Sequence, residues 1–243
     1  MQLKDRVILI TGAGGGLGGT AAVALAKHGA HIILLDKIIP KMEQVYDSIV
    51  ANGGPEPTMY PFDLAGADES QYQEMADVIA KQYGSLQGLL YSANDMAAFS
   101  PVINIRPQEW AQTLTVNLNA AFMLSQKLLP VLQKSDKASI VFTSDSSARQ
   151  AKAYSGAYGV SKIALEGFAK ILAEELESKH QIRVNTLVPG PVDSPFRKKA
   201  YPAEDKSKLP SMTSLEKIYQ FLFSDQSLNL TGQVIEAQTF KHP

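Results

Sequence analysis

The sequence predicts a doubly wound α/β fold, in which a single parallel β-sheet carries helices on both faces. Three observations carry this reading. Short apolar, β-favouring runs alternate with helix-periodic stretches along the whole chain. A glycine-rich turn joins the first of these strands to the first helix. The second apolar strand ends in an acid, Asp36, 20 residues after Gly16.

Val7 to Ile10 reads as the first strand, and Leu17, Ala21, Ala24 and Leu25 recur at helical spacing after it. Between them, Thr11 to Gly19 is almost all glycine. Gly14, Gly16 and Gly19 satisfy G-x-G-x-x-G, and Thr11-Gly12, Gly16 and Gly18 satisfy the more restrictive T-G-x-x-x-G-x-G. Strand, glycine turn and helix together put backbone N–H groups and a helix N-terminus beside a phosphate. The whole turn, Gly14 and Gly15 included, is therefore a candidate phosphate cradle. The plain alternative is a flexible turn before a core helix, and the buried strand feeding straight into the helix argues against it. Ile32 to Leu35 is the second strand. An acid at its end is where a dinucleotide site holds the adenosine ribose. A carboxylate accepts from both hydroxyls and repels a 2′-phosphate, so Asp36 favours NAD. Lys37 beside it leaves NADP open. The plain reading of Asp36 is a solvated strand-end carboxylate.

The remaining elements follow the same alternation. A helix over Lys41 to Val50 closes at Asn52-Gly53-Gly54-Pro55. Met59 to Phe62 is a strand. Ser70 to Tyr83 is a helix with Met75, Val78 and Ile79 inward, and Gly84 stops it. Gly88 to Ser92 is a fourth strand. Pro107 opens a long helix that runs to near Leu132, with Trp110, Leu114, Leu118, Ala121 and Leu128 as its apolar stripe. Ser139 to Thr143 is a strand, and a helix from about Ala157 to Lys179 carries Leu165, Phe168, Leu172 and Leu176 inward. Arg183 to Val188, a polar stretch from Ser194 to Pro210, a helix over Thr213 to Phe223 and a strand over Gln233 to Ala237 complete the chain. Residues 1–243 contain no repeat and no interdomain linker, so one domain is expected to carry both cofactor and substrate sites. Right-handed crossovers put Thr11, Asp36, Asp63, Ala93, Thr143 and Pro189 on one edge of the sheet, where the ligands should meet.

Composition narrows the function classes. The net charge of −1 supplies no global field for nucleic acid or an anionic membrane. The chain has no cysteine, hence no disulfide or thiolate chemistry, which suits a reducing cytoplasm. No apolar run approaches the roughly 18 residues of a membrane span, and the N-terminal apolar segment is too short for a signal peptide. His28, His31, His180 and His242 are scattered without ligand spacing, so no metal site is expected.

Tyr158 and Lys162 are four apart at a helix start and share a face. A lysine cation beside a phenol favours the phenolate and lowers its pKa, which suits proton exchange with an alcohol or carbonyl. On its own, Y-x-x-x-K reads equally as a tyrosine packed beside a surface lysine. The order of motifs along the chain adds context: TGAGGGLG at Thr11–Gly18, Asp63-Leu64, Asn117 within VNLNAAF, Tyr158-Gly-Val-Ser-Lys162 and Pro189-Gly190-Pro191-Val192. From Thr11 to about Glu236 the chain resembles the short-chain dehydrogenase/reductase family, many of whose bacterial members have no assigned substrate.

That resemblance implies a Rossmann fold and an NAD(P)-dependent oxidoreductase that moves a hydride between nicotinamide and a small alcohol or ketone. It makes Tyr158 the catalytic acid/base. Lys162 would hold the nicotinamide ribose and depress the pKa of Tyr158. Asn117 would break its helix locally and hold a water that links Lys162 to solvent. Gly12, Gly16, Leu17 and Gly18 would line the pyrophosphate, Asp63 and Leu64 the adenine, and Pro189 and Val192 the nicotinamide, with Ala93 nearby on the sheet edge. It further implies a substrate lid over 194–210 and a homodimer or homotetramer paired through the helices that begin near Pro107 and Ala157. Outside that context Asn117 reads equally as an outward-facing helix residue, and Asp63 as a helix N-terminal acid.

Two positions depart from the family. A serine is expected thirteen residues before the tyrosine, and residue 145 is aspartate, flanked by Ser144, Ser146 and Ser147. A hydroxyl donates to a carbonyl, whereas an ionised carboxylate only accepts. Four outcomes stay open: a neighbouring serine substitutes, burial keeps Asp145 protonated, ketone reduction is weak, or Asp145 accepts a substrate hydroxyl. The second departure is Ser92-Ala93-Asn94 where the family has Asn-Ala-Gly, so Ser92 would brace the sheet with a shorter reach and Asn94 would carry left-handed strain. A catalytically weakened dinucleotide-binding or regulatory protein is the competing reading. Arg197-Lys198-Lys199 reads as a solvated loop face in preference to a phosphate contact. A P-loop kinase is set aside, because Gly19-Thr20 stands where that loop needs a lysine.

Overall fold

In the computed structural model, residues 2–177 and 182–241 are described, apart from the side chains of residues 147, 148 and 177. The C-terminal end of the helix expected to reach Lys179 falls outside them, as do His180 and His242. The elements run β1 (Val7–Thr11), α1 (Gly16–Lys27), β2 (His31–Asp36), α2 (Ile39–Ala51), β3 (Thr58–Pro61), α3 (Glu69–Tyr83), β4 (Gly88–Tyr91), α4 (Pro107–Leu114) and α5 (Ala120–Leu132). There follow β5 (Ser139–Thr143), a one-turn α6 (Ser146–Arg149), α7 (Gly156–Glu177), β6 (Arg183–Val188), α8 (Pro195–Ala200), α9 (Glu216–Phe223) and β7 (Val234–Glu236).

The seven strands form one sheet in the order β3-β2-β1-β4-β5-β6-β7, parallel throughout. Period-two alternation sorts each strand between two cores. Leu9, Ile33, Leu89, Tyr91, Ile140 and Phe142 face the layer of α3, α5 and α7. Ile8, Ile10, Ile32, Leu34, Leu90 and Val141 face the layer of α1, α2 and α9. Burial on both faces explains why the strands read as continuous apolar runs. The chain leaves β1 toward β2 on one side and returns to β4 on the other, so a crevice opens at the C-terminal ends of β1 and β4. No helix among the described residues is long and apolar enough to cross a membrane.

The differences from the sequence reading are local and have physical causes. The long helix expected from Pro107 to Leu132 is interrupted by a π turn over Thr115–Asn119, the local break at Asn117 that the family resemblance implies, and there the Ala120 N–H reaches back five residues to the Thr115 carbonyl. The Tyr91 hydroxyl donates to the carbonyl of Val116 inside that turn. Val78 is exposed, and Tyr72 and Ala76 take the inward places beside Met75 and Ile79. The stretch 194–210 is more ordered than a loop. Its α8 begins on a Ser194 cap whose Oγ accepts from the Arg197 N–H at 3.1 Å. Asn94 is not in the left-handed region, so the strain expected there is absent.

Candidate active site

Two features hold the crevice open. The first is the Thr11 hydroxyl at the end of β1, which accepts from the N–H groups of both Ser92 and Ala93 at 3.0 Å. This backbone-to-hydroxyl bracing replaces the Ser92 side-chain brace expected from sequence. The second is the close crossing of the glycine turn. A Cβ at Gly18 would lie 2.3 Å from the Gly12 carbonyl oxygen, so α1 can leave the strand at this angle only with glycine there. Gly15 and Gly16 differ, because a Cβ at either would meet nothing within 4 Å and would project into open cleft. Helix geometry leaves the first N–H groups of α1 without intrahelical acceptors, and no side chain caps them. The turn therefore fits the pyrophosphate of a dinucleotide.

Asp36 lies on the wall of this cleft, and both its oxygens accept backbone hydrogens, from Gly14 N–H and Ile38 N–H, each at 3.0 Å. It is thus a brace for the glycine turn, a role that spacing alone did not reveal. Ile38, Lys41 and Gln44 continue the wall beside it. The cleft has a volume of about 660 Å³ and is also lined by Gly12, Gly14, Gly15, Gly16, Leu17 and Gly18. Asp145, Tyr158, Lys162, Pro189 and Val192 line its far end. Asp63, Leu64 and Ala93 are not part of that lining. Asp63 is exposed and caps its own turn through the Ala65 N–H at 3.1 Å, Leu64 is buried in the α3-side core, and Ala93 packs its backbone against Gly12.

At the chemical end, Tyr158 and Lys162 are nearly fully buried on one face of α7. The Tyr158 hydroxyl donates to Asp145 Oδ2 at 3.1 Å. Burial first, and the Asp145 charge second, push the phenol well above its ordinary value. This corrects the expectation that Lys162 depresses it. The Lys162 ammonium donates to the Thr143 carbonyl at 3.0 Å and sits 5.7 Å from the centre of the Tyr158 ring. Its own pKa is pulled down to about 8 by burial, with Asp145 working in the opposite direction.

The serine question also resolves in part. Ser144 is buried and donates to Glu166 Oε1 at 2.7 Å, while Arg149 clamps the other oxygen of Glu166 at 2.9 Å. The Ser144 hydroxyl hydrogen is thereby committed to Glu166, while the residue still lines the cleft, and Asp145 faces Tyr158. The side chain of Ser147 lies outside the described residues. Asn117 is fully buried, which excludes the outward-facing reading. Its carboxamide accepts from the Asp95 N–H at 2.7 Å and donates to the Asp95 carbonyl at 2.9 Å and to Ser161 Oγ at 3.0 Å. The π turn is what points it inward, between the loop after β4 and α7.

The segment where the resemblance implies a lid, 194–210, carries α8 against the cleft. Arg197 and Lys199 line the cleft, while Lys198 and Lys199 are exposed as the solvated-face reading expects. Arg197 makes a two-point pair with Glu204 at 2.6 and 2.5 Å and lies 3.9 Å over the Tyr201 ring. Lys199 donates to the Met96 carbonyl at 3.0 Å, and Lys198 pairs with Asp193. Phe99, Phe196 and Tyr201 form an aromatic wall against Tyr158, with ring centres 5.3–6.2 Å apart. No cluster of metal-ligating side chains occurs among the described residues.

The sequence profile described as short chain dehydrogenase matches residues 6–205. The chain belongs to the short chain dehydrogenase family. It is similar to the uncharacterised oxidoreductase YciK of Escherichia coli K12, 39% identical over 241 residues that span 99% of this chain and 95% of that protein. It is also similar to a solved short chain dehydrogenase from Shigella flexneri complexed with NADP, at TM-score 0.94 and 39% identity, covering 97% of this chain and 98% of that one. A further solved relative, from Escherichia coli CFT073 and complexed with NADPH, matches at TM-score 0.93 and 40% identity over 97% of this chain and 98% of that one. Both of these family members hold the phosphorylated dinucleotide, so the NAD preference expected from Asp36 finds no support in them.

The lysine provides a direct test of the site's electrostatics. Lys162 should lose its proton as pH rises through about 8, well below an ordinary lysine at 10.5. Asp145→Asn removes the one attraction that holds the value up, so the midpoint should fall further. Isotope-edited NMR of the lysine Cε and Nζ reads both, and a wild-type midpoint near 10.5 would contradict the burial argument.

Proposed function

We propose that this family member is an NAD(P)-dependent oxidoreductase acting on an alcohol or carbonyl carbon, with Tyr158 as the acid/base. The observation that carries the reading is the convergence of Tyr158 and Lys162 at one end of a cleft whose other end is the glycine turn. When bound, a nicotinamide supplies the hydride chemistry. The open N–H groups at the start of α1 would bind the pyrophosphate, with Asp36 and Lys41 at the adenosine end and Pro189 and Val192 at the nicotinamide end. Tyr158, raised by burial, keeps its proton at neutral pH and is suited to give it to a forming alkoxide. Lys162 would hold the nicotinamide ribose. Asn117 fixes the spacing between α7 and the loop after β4, and α8 would serve as the lid over the substrate.

Tyr158→Phe should lower kcat by a factor of about 10²–10⁴ on whichever alcohol or ketone of a screening panel the wild type turns over fastest. The dissociation constant for the dinucleotide should stay within about twofold. Full activity in the variant would remove Tyr158 from the mechanism.

The two dinucleotides remain to be ordered. The NADP- and NADPH-bound relatives support NADP(H) for this chain, and the Asp36 carboxylate on the wall weighs against a 2′-phosphate. Asp36→Ala should shift the ratio of NADP to NAD affinity toward NADP by about tenfold, ~1.4 kcal/mol. Fluorescence titration of wild type and variant with each dinucleotide measures that shift, and an unmoved ratio would show that Asp36 does not sense the phosphate.

Assembly through α5 and α7 is part of the same reading. Phe122, Val160, Ile163 and Ile171 are all exposed on these helices, and Gly167 lies in the same row with open space above it. Such a patch fits a second copy of this chain as a homodimer or homotetramer. Light scattering should give two or four times the chain mass, and the double change Ile163→Lys and Ile171→Lys should reduce it to one.

A further inference from the structure

From the Asp145–Tyr158 pair we infer that this site, beyond the alcohols and carbonyls of the proposed reading, favours nitrogen on the reacting carbon: a protonated C=N for reduction, and for oxidation an amine that binds as its ammonium. The inference rests on the reading of Tyr158 and Lys162 as the reacting centre. Asp145 lines the cleft where the family resemblance places a hydroxyl donor, and it takes the Tyr158 proton at 3.1 Å. Ser144 beside it also lines the cleft, but its hydroxyl hydrogen goes to Glu166. The atom beside Tyr158 thus meets an acceptor where a carbonyl oxygen needs a second donor.

Charge decides between substrates. A ketone that accepts a hydride becomes an alkoxide, and negative charge growing beside a carboxylate is a like-charge pair. A protonated C=N carbon instead takes a hydride, with its electron pair, from the reduced nicotinamide. The C–H bond forms, the π pair moves to nitrogen, and a neutral amine results; in reverse, a bound ammonium first gives a proton to Asp145, and the neutral amine then gives its hydride to the oxidised nicotinamide and becomes the iminium. The carboxylate stabilises the cation it faces through a charge-assisted hydrogen bond.

The charged and titratable groups described around Asp145 include Tyr158, Lys162, Arg197 and Tyr201. Arg197 is balanced by its two-point pair with Glu204. Lys162 directs a hydrogen at the Thr143 carbonyl. Phe196, which lines the cleft with its ring 5.3 Å from that of Tyr158, suits an aryl or other apolar substituent on the reacting carbon.

A matched pair of ligands tests this by binding, without turnover. 1-Phenylethylamine, protonated at pH 7.5, and 1-phenylethanol differ only in the atom on the reacting carbon. Calorimetry is run on the full chain, with and without a saturating oxidised dinucleotide. The amine should bind at least tenfold more tightly than the alcohol, and Asp145→Asn, checked for an unchanged melting temperature, should cut the preference below about threefold. Equal or tighter binding of the alcohol overturns the inference. So does a preference that survives Asp145→Asn, or a failure of both ligands to bind. Failure to bind any dinucleotide would instead strike the proposed function, and the arm without dinucleotide keeps the two failures apart.

Discussion

The molecule depends on the contact in which the end of β1 holds the end of β4. Two backbone N–H groups converge on one threonine hydroxyl, and a glycine beside it presents no Cβ to the Ala93 backbone, to which one would come within 2.9 Å. The sheet splits its connections at this seam, so the width of the crevice is set here. A larger residue at Gly12, or loss of the Thr11 hydroxyl, would move the glycine turn relative to the loop that carries Asp95. Through Asn117, that loop is tied to α7 and hence to Tyr158 and Lys162. The nucleotide end and the chemical end are therefore joined by one chain of hydrogen bonds.

Electrostatics at the chemical end follow from burial more than from pairing. Sequence spacing suggests that a lysine one turn away acidifies the phenol. In the fold both side chains lie in a low-dielectric interior, which favours the neutral form of each, so the tyrosine rises and the lysine falls. Asp145 amplifies the first shift and opposes the second. A carboxylate here acts on the charge balance of both partners at once, which a neutral serine could not.

What could be read from the sequence was what depends on local spacing. The strand–glycine–helix turn, the run of buried strands and the shared face of Tyr158 and Lys162 follow from periods of 2 and 3.6 residues. They appear in the fold within a residue or two. What could not be read depends on groups distant in the chain. Asn117 points inward because a π turn shifts the helix register, a break that the family resemblance implied and that periodicity alone did not. Asp36 was legible as a strand-end acid, but its hydrogen bonds to Gly14 and Ile38 needed the turn in three dimensions. In the basic run at Arg197–Lys199 the exposure of Lys198 and Lys199 was legible, but the partners Glu204 and the Met96 carbonyl are assigned by packing, not by periodicity.

The wide turn at Thr115–Asn119 has a consequence for how this segment can change. An extra residue is accommodated there without lengthening the helix by a full step, so everything before it is offset by about 100° relative to an unbroken α-helix. Removing one residue would restore regular winding and swing the Asn117 carboxamide off Asp95 and Ser161. Point substitutions in this stretch leave its length intact, whereas a single-codon deletion would rewind it. The segment is thus measured by its count of residues as much as by their identity.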